Sequence, residues 1–183
     1  AARPLDRPAS DAGRPVTEQP NPEAIPGIET RRIVKLDLDE DTTARRSPEV
    51  DNERAVAIFD LIEENSFSPA IEHPGPYHLR LAIEENRLAF DIRDTAGHEL
   101  VEFMLSLSPF RRIVKEYFDI CDSYFHAIKT ASPSQIEAID MGRRGLHDEG
   151  AEILQERLKG KVFVDRATAR RLFTLVSALH WKG

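Results

Sequence analysis

Two apolar periods alternate along the chain and divide it into elements. Val34, Leu36 and Leu38 alternate with Lys35, Asp37 and Asp39, the period-two pattern of a half-buried strand. Ser47-Pro48-Glu49 then places a hydroxyl at the N-cap, a proline in the first turn and an acid behind it, which starts a helix. Val56, Phe59 and Ile62 mark the face expected to turn inward, and the helix is expected to stop near Asn65. Proline-dense loops at Ser68-Pro69 and His73-Pro74-Gly75-Pro76 lead into a meander. Its strands place Leu79, Leu81 and Ile83, then Leu88, Phe90 and Ile92, then Val101, Phe103, Leu105 and Leu107 on common faces. Glu85-Asn86 and Asp94-Thr95-Ala96-Gly97 supply the turns. His78, Arg80, Arg87, Asp91, Arg93 and Glu102 occupy the other face, so the sheet is expected to be antiparallel and covered on one side only.

The period then changes to that of a helix. After Ser108-Pro109, a second cap signal, come Phe110, Ile113, Val114, Tyr117, Phe118, Cys121, Tyr124, Phe125 and Ile128 at steps of three and four. Its polar side offers Arg112–Glu116 and Lys115–Asp119 as i,i+4 pairs. Ser132-Pro133-Ser134-Gln135 is a capping box, and the helix it opens carries Ile136, Ile139, Leu146, Ile153 and Leu154, interrupted by Gly142, Gly145 and Gly150. Gly160 ends it. Val162-Phe163-Val164 predicts a short edge strand, and Asp165 caps a last helix apolar over much of its circumference. The fold class that follows is α+β: an antiparallel sheet of about four strands, made of the meander, the N-terminal strand and a possible short edge strand. Roughly three or four helices pack mainly on one face.

Composition adds a boundary. Half of the prolines fall before Arg32, where the large apolar residues are few, so residues 1–31 are expected to form a disordered Pro-rich tail and residues 32–183 a single domain. The formal net charge of −7 argues against a protein that holds nucleic acid through its phosphates. No apolar run is long enough to span a membrane, and the first residues lack the apolar stretch of a secretory signal. A single cysteine, Cys121, suits a reducing compartment, and cytoplasm is the expected location.

Candidate chemistry is concentrated in Met141-Gly142-Arg143-Arg144-Gly145-Leu146-His147-Asp148-Glu149-Gly150. Each helical glycine costs about 1 kcal/mol relative to alanine, so three of them point to close backbone approach or a local break. Arg143 and Arg144, with His147, Asp148 and Glu149, read as an interaction surface able to hold a phosphate or carboxylate; the plainer reading is a tightly packed helix with solvated charges outside. Arg111 and Arg112 stand in the first turn of their helix, where the macrodipole disfavours cations. A bound anion would explain that, and so would acids from elsewhere in the fold. Arg166, Arg170 and Arg171 repeat the oddity. The histidines form no i,i+4 pair, Cys121 falls on an apolar stripe, and no nucleophile elbow, dinucleotide fingerprint or P-loop occurs. No catalytic, cofactor-binding or metal-binding residue is therefore named, and no cofactor is expected.

Long strings carry a resemblance. Leu105-Ser106-Leu107-Ser108-Pro109-Phe110-Arg111-Arg112-Ile113-Val114-Lys115 is one. The run from Thr130 through Ser132-Pro133-Ser134-Gln135 and Met141-Gly142-Arg143-Arg144-Gly145-Leu146 to His147 is another. Glu64-Asn65-Ser66-Phe67, Ile83-Glu84-Glu85-Asn86-Arg87-Leu88 and Thr168-Ala169-Arg170-Arg171-Leu172-Phe173 join them. They resemble uncharacterised protein family zero-two-six-two of the alphaproteobacteria, from about Arg32 to His180. The resemblance implies a bacterial cytoplasmic protein and transfers no activity, cofactor or catalytic residue.

The leading expectation is a non-enzymatic interaction or regulatory module, with another protein as partner, whose surface centres on Arg143 to Glu149 and extends to Arg111 and Arg112. The alternative is an enzyme or sensor that binds a small phosphorylated or carboxylated metabolite through clustered arginines, with His147 as acid or base. RNA binding on the polar sheet face is the weakest reading, because that face offers arginines without aromatics to stack on bases.

Overall fold

A computed structural model describes residues 30–39 and 47–180. The chain runs β1 (Ile33–Asp39), α1 (Pro48–Glu63), β2 (Phe67–Pro69), β3 (Tyr77–Glu84), β4 (Arg87–Arg93) and β5 (Glu99–Ser106). It continues through α2 (Arg111–Thr130), α3 (Pro133–Leu158), β6 (Val162–Val164) and α4 (Arg166–His180). The tail reading falls on residues outside the described ones, save Thr30 and Arg31. The Arg31 guanidinium donates to the carbonyls of Pro69 and Ile71 and to the Ser68 hydroxyl, which ties the start of β1 to the segment around β2.

Strand order in the main sheet is β1-β3-β4-β5, and the sheet is mixed rather than antiparallel throughout. The meander pairs antiparallel as its turns require; Glu85 and Asn86 both adopt positive φ, 47° and 64°, and reverse the chain between β3 and β4. β1 lies parallel to β3, with Leu36 opposite Leu79 and Leu38 opposite Leu81. That pairing corrects the antiparallel expectation. The connection from β1 to β3 contains a helix, and a crossover of that kind returns the chain in the same direction. A second correction concerns Phe67-Ser68-Pro69, expected as loop. It pairs with β6 in a separate two-stranded sheet, where Pro69 sits at a strand end.

The core lies between the inner sheet face and the four helices. Leu79, Leu81, Leu88, Phe90 and Ile92 bury against Ile113, Tyr117, Leu154, Leu172 and Phe173 in one cluster. Ala82 and Ala89, on the other face of the sheet, stay outside that cluster. The Ser47 cap, the Ser132–Gln135 capping box and the Asp165 cap all form. Ser108-Pro109 instead opens a single 3-10 turn, and α2 begins at Arg111 without a side-chain cap. The α2 stripe is buried as its spacing predicts from Ile113 to Cys121; beyond it Tyr124 and Phe125 are half-buried and Ile128 is exposed.

The inward face of α1 differs from expectation. Val50, Ala57 and Leu61 are buried, whereas Val56 is 49% and Phe59 66% exposed. α1 packs on α4, and the face it turns inward carries Val50, Ala57 and Leu61, offset from the expected one.

Candidate functional site

The capping box fixes where α3 starts, and so which residues share its faces. Asp140, Arg143, Arg144 and His147 then fall at steps of three and four, on adjacent turns. Two glycines on the same helix explain how it reaches its neighbours. A Cβ at Gly150 would lie 2.3 Å from the Phe173 ring of α4, and one at Gly142 would lie 2.7 Å from the Ile120 side chain of α2. Nothing stands within 4 Å of a Cβ at Gly145. Close approach, not a break, is therefore the reason for Gly142 and Gly150; the helix runs unbroken.

This packing draws one side of the charged stretch inward. His147 stacks on Tyr117 at 5.4 Å between centroids and leans on Phe173 at 5.8 Å. Its Nε2 lies 2.9 Å from both the Arg170 carbonyl and the Thr174 hydroxyl. A carbonyl only accepts, so Nε2 carries the hydrogen and the neutral ring keeps Nδ1 as an acceptor. Burial, helped by the Arg170 charge, holds the imidazole down to about 4. The ring is neutral near pH 7.

Arg143 is held from three sides. Its Nε and Nη2 donate to Asp140 Oδ1 at 3.2 and 2.8 Å, Glu53 of α1 lies 3.7 Å away, and the guanidinium sits 4.8 Å over the Tyr124 ring. Arg144 reaches the other Asp140 oxygen at 2.9 Å and remains 68% exposed. Hydrogen bonds from Arg143, with the charges of both arginines, pull the Asp140 carboxyl below its ordinary value, so it stays ionised as a brace. Arg170 of α4 is ion-paired through Nε with Asp148, at 3.3 Å but without a hydrogen bond, so the buried Asp148 oxygen has no hydrogen-bond partner. Its two terminal nitrogens make no hydrogen bond among the described residues.

The result is a cleft of about 220 Å³ lined by Glu53, Tyr117, Arg143, Arg144, His147 and Arg170. All four helices contribute to it. Of its ionised groups, three are guanidiniums and one is a carboxylate. A wider groove of about 600 Å³ lies between the end of α3 and β6, but there Lys159 pairs with Glu156, and Glu152 is held by Arg166.

Of the residues singled out in the sequence, Arg143, Arg144 and His147 come together here, with Asp148 behind as a brace. Glu149 and Arg112 do not line the cleft. They pair with each other, and Arg112 also holds Glu116 at 2.7 Å, a bond between acid and base of the kind weighed against an anion site. Arg111 stands apart again, at a hollow with Ile83, Asn86, Leu107, Leu179 and His180. Glu53, Tyr117, Asp140 and Arg170 were not placed in this group by sequence. Asp140 had a readable signal, three and four residues before the two arginines; the others arrive from separate helices. Arg144 faces out, while Arg143 and His147 are partnered within the fold.

Cys121 is buried one turn along α2 from Tyr117. Burial pushes its thiol up to about 11, away from the thiolate that nucleophilic chemistry needs. Among the described residues, no group of three or more His, Cys, Asp or Glu is placed to hold a metal ion. No helix among them is long and apolar enough to cross a membrane.

Comparison with known proteins settles the family. Residues 30–182 match the model described as uncharacterised protein family (UPF0262). The chain belongs to that family. Relatives named UPF0262 protein include one from Nitrobacter winogradskyi, 62% identical over 83% of this chain and 91% of its own length. One from Bradyrhizobium sp. strain ORS 278 is 61% identical over 84% and 92%, and one from Rhodopseudomonas palustris strain TIE-1 is 58% identical over 89% and 99%. All are alphaproteobacterial. No solved structure matches. The UPF0262 match takes in Thr30 and Arg31, in keeping with the hydrogen bonds Arg31 makes to the domain.

Proposed function

We propose that this UPF0262 protein is a non-enzymatic cytoplasmic regulatory module whose four-helix cleft binds a small phosphorylated or carboxylated molecule. The observation that carries the reading is the convergence of Arg143, Arg144 and Arg170 on one concavity, Arg144 and Arg170 each ion-paired with an aspartate and keeping donors free. A guanidinium held by a brace on one edge presents its other edge to a carboxylate or phosphate with little further ordering, which favours binding. His147, neutral and engaged through Nε2, serves as wall and acceptor rather than as proton donor.

A thermal-shift screen of the full chain against phosphorylated and carboxylated metabolites tests this. One compound is expected to raise Tm saturably, and Arg170→Ala is expected to abolish that rise while Arg111→Ala keeps it. Indifference to the whole panel would overturn the reading.

A protein partner on the outer side of α3 is the second reading. It is favoured by Met141, 67% exposed, one turn from the exposed Arg144 and from Gly145. A partner bound in that way would be lost on changing Met141 to Asp and Arg144 to Glu, and kept on Arg170→Ala.

A further inference from the structure

Anion binding accounts for the guanidiniums of the cleft but leaves its acceptors unexplained. Glu53 enters from α1 with its side chain 28% exposed. Its nearest cation, Arg143, is 3.7 Å away and already bonded by Asp140 at 2.8 Å, and Glu53 makes no hydrogen bond among the described residues. A carboxylate so placed repels the anion that the arginines attract. Beside it the His147 ring, its Nε2 hydrogen committed to the Arg170 carbonyl, has only a lone pair to offer at Nδ1. The wall is therefore mixed: donors at Arg143, Arg144 and Arg170 share it with acceptors at Glu53 and His147.

We infer that the ligand is a small zwitterion of the amino-acid class, its anionic group on Arg144 and Arg170 and its ammonium on Glu53. An ammonium has three N–H donors and no acceptor, the complement of a carboxylate beside an imidazole lone pair. An anion without such a donor leaves Glu53 with only its 3.7 Å ion pair to Arg143 and repels it, and a site built for a donor discriminates strongly against an analogue lacking it. The volume of about 220 Å³ lies below the roughly 300–1,000 Å³ usual for drug-sized ligands, which selects a molecule of few heavy atoms. This inference rests on the cleft being an anion site, and its test separates the two claims.

The full chain is titrated calorimetrically with the standard amino acids, with their counterparts lacking the α-amino group (succinate for aspartate, glutarate for glutamate), and with inorganic phosphate. At least one amino acid is expected to bind at least about tenfold more tightly than its counterpart, a gap of about 1.4 kcal/mol. Glu53→Gln, which keeps the shape and removes the charge, is expected to erase that preference, and Glu116→Gln to leave it intact. Should Glu53→Gln fold poorly, Glu53→Asp serves, with a weakened preference expected. Equal binding of both members of every pair, or binding of phosphate alone, overturns the zwitterion and leaves the anion site standing. Absence of binding by every probe overturns both.

Discussion

Two arginine pairs, Arg111-Arg112 and Arg143-Arg144, look alike in the sequence and end in different surroundings. Arg112 is spent on Glu116 and Glu149, bridging α2 to α3 at an exposed rim, and Arg111 stands away from it. Arg143 and Arg144 share one aspartate and open on a concavity that Arg170 completes from another helix. An unusual position along a helix is thus a weaker sign of a ligand site than a brace combined with concavity. Acids can answer a misplaced cation at a rim, but only tertiary packing gathers guanidiniums around a hollow.

The contrast predicts different consequences when each region is disturbed. Acid should act on the cleft and spare the rim. His147 sits in the α3–α4 joint with its folded value lowered from 6.5 to about 4. The unfolded chain therefore takes up the proton first, and stability present above pH 6.5 is lost as pH falls toward 4. The gap corresponds to roughly 3 kcal/mol. Asp94 and Asp140, also lowered, titrate below that window. Chemical denaturation at pH 7 and pH 4.5 should show the loss, and His147→Phe should remove most of it; an unchanged pH slope in His147→Phe would assign the loss elsewhere.

Gly150→Ala comes next. A methyl group placed 2.3 Å from the ring of Phe173, itself fully buried, must force α3 and α4 apart. Overpacking should outweigh the gain in helix propensity and cost about 2 kcal/mol of unfolding free energy, read by chemical denaturation. Gly145→Ala, which meets nothing, is the control and should stabilise by up to about 1 kcal/mol.

Arg143→Met should cost on the order of 2 kcal/mol, because it removes hydrogen bonds to Asp140 and the contact with Tyr124. Arg112→Met should leave Tm almost unchanged, as exposed ion pairs contribute little. Equal losses in the two variants would erase the distinction between brace and rim.

Much of the fold was legible because it rests on local chemistry. The Ser47 and Ser132 caps, the Glu85-Asn86 turn and the α2 stripe involve residues a few positions apart, and each forms. What stayed hidden depends on partners far along the chain. Phe67-Ser68-Pro69 becomes a strand only because β6 lies beside it, and the face of α1 that carries Ala57 and Leu61 turns inward through packing on distant elements. The cleft divides along the same line. Arg143, Arg144 and His147 were found on one helix, whereas Glu53, Tyr117 and Arg170 join them through three others.

The most direct test watches the guanidinium groups themselves. In ¹H–¹⁵N spectra of the full chain titrated with a ligand found by the thermal-shift screen, the Nε–H signals of Arg143 and Arg170 and the backbone amides from Arg144 to His147 should shift together and saturate. Those of Arg111 and Arg112 should stay in place. Saturable shifts at Arg111 and Arg112 with the cleft silent would put the anion at the rim and contradict the site described above.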